Sequence, residues 1–274
     1  MLYQGNIRDY LSKQPLLFDG AMGTYLADKY IQFGGESCEK WNLRYPERIK
    51  QIHKEYIDAG AVAIKTNTFA VNAGDHFTAE EVGKVIAAGT QIAREAIEES
   101  AGEQILFGDI GPVVIGDEND AAERYRLPVD CFLEQGFNYF DTAHGYLQGK
   151  SELALKECLT SRYPREDYVL TDKLSGSYFK KEEDIRPFFE SQLAACGVDY
   201  FDFYLMHSQS TTNYQHYRDC RAYETAFALK AEGKVRHVGI SFHDRAAMLE
   251  QILTDYPAIE VVQIQFNYLD YDDV

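Results

Sequence analysis

The chain has 274 residues, enough for two small domains or one α/β barrel of about 250 residues, and its 45% hydrophobic content can supply a sizeable core. Twenty-seven basic against 44 acidic residues leave a formal charge of -17, which repels phosphate backbones and anionic bilayers and argues against nucleic acid and membrane as partners. No run approaches the roughly 20 apolar residues that span a bilayer. The N-terminal MLYQGNIRDYLSK lacks the pattern of a secretory signal, so a soluble cytoplasmic protein with small-molecule partners is expected.

In chain order, short apolar runs that end in polar or small residues recur at PLLFDG (near 16 to 20), AVAIKTN (61 to 67), QILFGD (104 to 109) and FNYFDT (137 to 142). They continue at YVLTDK (168 to 173), FDFYLMH (201 to 207), RHVGIS (236 to 241) and VVQIQFN (261 to 267). Amphipathic stretches such as PERIKQIHKEYIDAG, AEEVGKVIAAGTQIAREAIEES and EEDIRPFFESQLAACG lie between them, closed by glycine or polar residues. Strand starts roughly 25 to 45 residues apart are the spacing of βα crossovers between parallel strands. The expectation is a single (β/α)8 barrel over residues 1–274, lacking its final covering helix because YLDYDDV follows the eighth strand directly. Such an uncovered face could support self-association.

The acidic stretch GDENDAAERYRLP, residues 116 to 128, reads by composition as a linker but by strand count as a loop within the barrel, with Pro128 opening a helix. Cys38, Cys131, Cys158, Cys196 and Cys220 show no paired metal-finger spacing, so reduced thiols and no metal site are expected.

Two family resemblances divide the chain. LLFDGAMGTYL, ESCEKWNLRYPERIKQIHKEYIDAGAVAIKTNTF and FGDIGP, within residues 14–113, resemble the homocysteine S-methyltransferase family, which includes the N-terminal module of cobalamin-dependent methionine synthase. That resemblance implies that Asp19, Gly20, Gly23, Thr24 and Asn67 surround homocysteine. It also implies zinc on three cysteines from late strands, which this chain does not supply, so zinc and cobalamin are not expected.

FLEQGFNYFDTAHGY, VLTDKL, CGVDYFDFYLMHS, GKVRHVGISFHD and VVQIQFNYLD, within 128–274, resemble the aldo-keto reductase family. This resemblance implies Tyr146 as general acid and Lys173 as the cation that makes the phenol a better acid. Asp141 would pair with Lys173, and His207 would hydrogen-bond the substrate carbonyl. Ser241 and Gln263 would hold the nicotinamide amide of NADPH, with Phe242 standing where asparagine is common beside that serine. The family's last two strands, whose basic residues grip the phosphates, are not matched. Losing several contacts of about 1.5 to 3 kcal/mol each leaves NADPH weakly held.

Counted together, residues 1–118 contribute strands one to three and residues 119–274 contribute strands four to eight of one barrel. The expectation is a hybrid, engineered scaffold without efficient native activity. The alternatives are an NADPH-dependent carbonyl reductase and an amino-acid binder that transfers no methyl group.

Overall fold

The computed structural model describes residues 1–3, 10, 16–30, 33–34, 36–71, 77–111 and 120–264, with the side chains of 120–124 set aside. It divides into two compact units, Met1–Phe137 and Asn138–Val274. Among the described residues the paired strands are parallel and alternate with helices, so the α/β class read from the spacing holds.

The first unit contains α1 (Met22–Lys29), a helical turn at Trp41–Arg44, α2 (Pro46–Asp58), β1 (Ala63–Lys65), α3 (Ala79–Glu98), β2 (Ile105–Phe107) and α4 (Asp120–Glu134). Pro46 opens α2, where its fixed φ suits the first turn and its missing N–H costs nothing. Thr78 and Glu81 form a capping box at α3: each side chain satisfies the other's backbone N–H. One face of each helix is apolar. Ile57 from α2, Ile64 from β1 and Ala93, Ala96 and Ile97 from α3 close one buried cluster. Trp41, Leu26, Ile49, Ile52 and Ile92 close another.

Two expectations change in this unit. PLLFDG contributes one bridge, Phe18 to Ala63, rather than a full strand. Leu17 and Phe18 are exposed, so little burial holds this segment to β1. The described part of GDENDAAERYRLP is helical from Asp120, which places Pro128 inside α4 rather than at its first turn. The run from Ala121 to Leu127 is rich in good helix formers, and Val129 and Phe132 beyond the proline are buried, which offsets the lost backbone bond. Residues 116–119 lie outside the described residues.

The second unit contains β3 (Tyr139–Asp141), α5 (Lys150–Leu155), β4 (Val169–Leu174), α6 (Glu182–Cys196) and β5 (Phe201–Gln209). After them come α7 (Tyr214–Asp219), α8 (Ala222–Ala231), β6 (Val235–Phe242), α9 (Ala246–Asp255) and β7 (Val261–Ile264). The sheet order is β3-β4-β5-β6-β7, the sequence order expected for successive βα units. α6 buries Ile185, Phe189, Leu193 and Cys196, and the Phe189 ring meets Phe201 and Tyr204 edge-on at 5.7 and 5.0 Å. Gly239 lets β6 and β7 approach: a Cβ there would lie 2.4 Å from the Val261 carbonyl oxygen.

Among the described residues the strands form a two-stranded and a five-stranded parallel sheet. A ladder closing eight strands is not among their pairings. Residues 265–267 of the expected eighth strand, and YLDYDDV after it, lie outside the described residues.

Candidate active site

The strand ends of the second unit bring together the four side chains singled out for carbonyl chemistry. Thr171 and Lys173 alternate onto one face of β4, whereas Asp172 lies on the other. Lys173 is 1% exposed, and its ammonium has three oxygen partners: Asp141 Oδ1 at 2.5 Å, the Thr142 carbonyl at 2.9 Å and the Tyr146 hydroxyl at 3.2 Å. A buried cation without such partners would be costly, so this arrangement is also what lets Lys173 sit inside. The ammonium also lies 4.7 Å from the Tyr146 ring centroid. Tyr146 remains 40% exposed, so its hydroxyl joins a buried charge to an accessible surface.

Tyr146 begins a 3-10 turn in which Leu147 and Gln148 take positive φ, a sparsely populated conformation that turns the chain sharply after β3. His207 packs edge-on against Tyr146, with ring centroids 5.7 Å apart. A register shift in β5 between Met206 and Gln209, with Ser208 at φ 53°, bends the strand where His207 leaves it. Burial, then the charge of Lys173, then that of His243 push the His207 imidazole down to about 4, so it is neutral at ordinary pH.

Ser241 and Gln263 are register partners on β6 and β7. Ser241 Oγ accepts the Ser208 N–H at 3.3 Å, and Gln263 Nε2 lies 3.4 Å from Asp141 Oδ2. Buried Ser241 and exposed Gln263 therefore lie beside the cluster. Phe242 is buried.

Two features escaped the sequence reading. Ser175 Oγ lies 2.7 Å from His207 Nδ1, and nothing in a lone serine two residues past a lysine announces that contact. On the opposite face of β4, Asp172 is fully buried. Burial and then the neighbouring charge of Glu152 hold its carboxyl well above the usual range. Glu152 is also fully buried, with His144 Nδ1 at 2.7 Å and Gln192 Nε2 at 3.2 Å. An acid in the middle of the apolar run YVLTDKL was the available signal.

In the first unit, Asp19 is 8% exposed and accepts the Lys65 N–H on Oδ2 at 3.0 Å. Burial raises its carboxyl to about 7 against the opposing charge of Lys65, while burial alone lowers His53 to about 4. Asp19 Oδ1 and both His53 ring nitrogens are buried without hydrogen-bond partners among the described residues. Gly20 gives space to Tyr56, whose ring would lie 2.8 Å from any Cβ at that position. Gly23 and exposed Thr24 lie in α1. Asn67, at φ 53°, donates to the Cys38 carbonyl at 3.1 Å and to Asn42 Oδ1 at 2.8 Å.

Among the described residues no three His, Cys, Asp or Glu side chains converge at ligand spacing. Burial and then the Glu39 charge push the Cys38 thiol up to about 12.

Comparison with known proteins gives two overlapping matches. The homocysteine S-methyltransferase family model matches residues 16–144, and the aldo/keto reductase family model matches residues 108–274. Methionine synthase of Mycobacterium tuberculosis is 37% identical over 122 residues, 40% of this chain and 10% of that protein. The NADH-specific methylglyoxal reductase of Escherichia coli is 30% identical over 165 residues, 53% of this chain and 49% of that protein. The crystal structure of an aldo/keto reductase from Brucella melitensis superposes with a TM-score of 0.45 at 26% identity, covering 55% of each chain. The chain thus spans about half or less of the length of these relatives. Because the reductase model covers more than half of its residues, the chain belongs to the aldo/keto reductase family, with a homocysteine S-methyltransferase match at its N-terminal side.

Proposed function

We propose that the second unit carries the acid half of a carbonyl-reducing site and acts, inefficiently, as an NADPH-dependent reductase of reactive aldehydes or ketones. The supporting observation is the contact of one buried ammonium with both Asp141 and the Tyr146 hydroxyl, with a neutral His207 against the phenol. A bound reduced nicotinamide would supply the hydride to the carbonyl carbon. As the carbonyl electron pair moves onto oxygen, the Tyr146 hydroxyl passes its proton there. The phenolate left behind is stabilised by Lys173 Nζ, whose charge Asp141 balances. His207 orients the carbonyl oxygen, and solvent returns the proton through the exposed phenol. Ser241 and Gln263 would hold the carboxamide. The net charge of -17 gives an anionic dinucleotide little long-range attraction, consistent with weak binding.

The test is a fluorescence titration with NADPH and with NADH, the latter because of the Escherichia coli relative, followed by dinucleotide oxidation with methylglyoxal. Saturable binding and turnover that falls on the order of 100-fold in Tyr146→Phe are expected. Absence of binding and turnover would leave a scaffold without native activity.

We also propose that the chain is an engineered hybrid in which three and five strands complete one barrel. Its support is the pair of family matches, residues 16–144 and 108–274, which overlap around α4. In the first unit a second reading rests on Asp19, whose buried Oδ1 accepts no hydrogen bond among the described residues and has only the Lys65 ammonium near it, at 3.8 Å, so that it could receive the ammonium of an amino acid. Calorimetry with homocysteine, with and without zinc, should give heat in both cases; no heat in either removes that reading.

A further inference from the structure

We propose that Ser175 is a positioning residue: its hydroxyl donates to His207 Nδ1 and so holds the imidazole as the Nε2–H tautomer, a hydrogen-bond donor for the substrate oxygen. The proposal rests on the reductase reading for its purpose but not for its structural content. Ser175 is 5% exposed, and a buried hydroxyl needs an acceptor for its proton. Among the described residues the hydrogen-bond partner of Ser175 Oγ is His207 Nδ1, at 2.7 Å. Donation to that nitrogen requires its lone pair, so the single proton of the neutral ring must sit on Nε2.

The surroundings fix both groups. Ser175 follows directly after β4, and its own carbonyl accepts the Tyr178 N–H at 3.1 Å. The Tyr217 hydroxyl contacts the Leu174 carbonyl at 2.7 Å and the His207 carbonyl at 3.0 Å, tying the ends of β4 and β5 together. The two strand ends carrying Ser175 and His207 are thus held at fixed spacing by a third, fully buried side chain. Burial and the Lys173 charge keep the imidazole from taking a second proton. With Nδ1 engaged, the ring can present only Nε2 to a ligand, and a carbonyl oxygen, which accepts but cannot donate, matches an N–H there. The opposite tautomer would set two lone pairs against each other.

Nitrogen NMR of the 15N-labelled full chain reads this directly, with the His207 ring signals identified by their loss in His207→Gln. The expected result is an unprotonated, hydrogen-bonded Nδ1 and a protonated Nε2 in the wild type. In Ser175→Ala the Nδ1 signal should move to its free position with mixed tautomers, and Ser175→Thr should restore the wild-type signals. A wild-type Nδ1 that carries the proton, or a Ser175→Ala spectrum unchanged at Nδ1, overturns the proposal. The wild-type spectrum decides even if Ser175→Ala does not fold. In a parallel assay, methylglyoxal turnover should fall about tenfold in Ser175→Ala and recover in Ser175→Thr. Wild-type protein without turnover but with the expected ring signals would sink the reductase reading and leave the Ser175 assignment standing.

Discussion

At the scale of single residues, β4 presents opposite chemistry on its two faces. Lys173 faces Asp141 and Tyr146 as a paired cation, so Lys173→Met should remove both the cation beside the phenol and the partner of Asp141. Turnover is expected to fall by at least about 100-fold, and the urea midpoint to drop by the equivalent of about 1 kcal/mol, because the Asp141 side chain left behind is 26% exposed and water reaches it. Denaturation curves separate the two effects. Asp172, one residue earlier, keeps its proton in the folded state. Below about pH 4 the folded and unfolded chains both hold that proton; above it the unfolded chain releases it and the folded chain does not. Stability is therefore lost as pH rises, by at most about 1.4 kcal/mol per pH unit. Asp172→Asn should gain stability relative to wild type as pH rises above about 4, and a pH-independent difference would contradict this. Asp141, Tyr146, Lys173 and His207 were picked out by the reductase resemblance, and the ends of consecutive βα strands bring them together. Ser175 and the Asp172–Glu152 contact were not legible. Each depends on which face of an element meets which neighbour, and no local spacing encodes that.

At the scale of elements, the amphipathic stretches PERIKQIHKEYIDAG and AEEVGKVIAAGTQIAREAIEES form α2 and α3, with Pro46 and the Thr78–Glu81 box at their N-termini. Thr78→Ala should cost about 1 kcal/mol. Trp41 is the single tryptophan and is buried in the cluster that includes Ile92 of α3, so its fluorescence reports unfolding of the first unit. An unchanged midpoint by that probe would argue against the cap. Pro128 misled because a proline is a strong local signal but a weak global one. Burial of Val129 and Phe132 carries α4 through it. PLLFDG misled in the opposite direction: its apolar pattern is that of a strand, but Leu17 and Phe18 remain exposed.

At the scale of the whole molecule, the strand count anticipated parallel βα architecture and the quoted motifs a change of family along the chain, and the two family matches overlap across 108–144. Closure of the barrel was beyond the reach of strand counting, because pairing between distant strands is set by register and not by spacing. If three and five strands share one barrel, the Trp41 signal and far-ultraviolet dichroism should lose structure at the same urea concentration. Separate midpoints would contradict a single barrel. The central claim, that Tyr146 protonates a carbonyl oxygen as hydride reaches its carbon, is tested most directly by NADPH carrying deuterium at both C4 positions. With methylglyoxal, the wild type should yield an alcohol with one carbon-bound deuterium, and Tyr146→Phe should yield on the order of 100-fold less. No labelled alcohol from the wild type, or equal labelling by both proteins, would contradict the account.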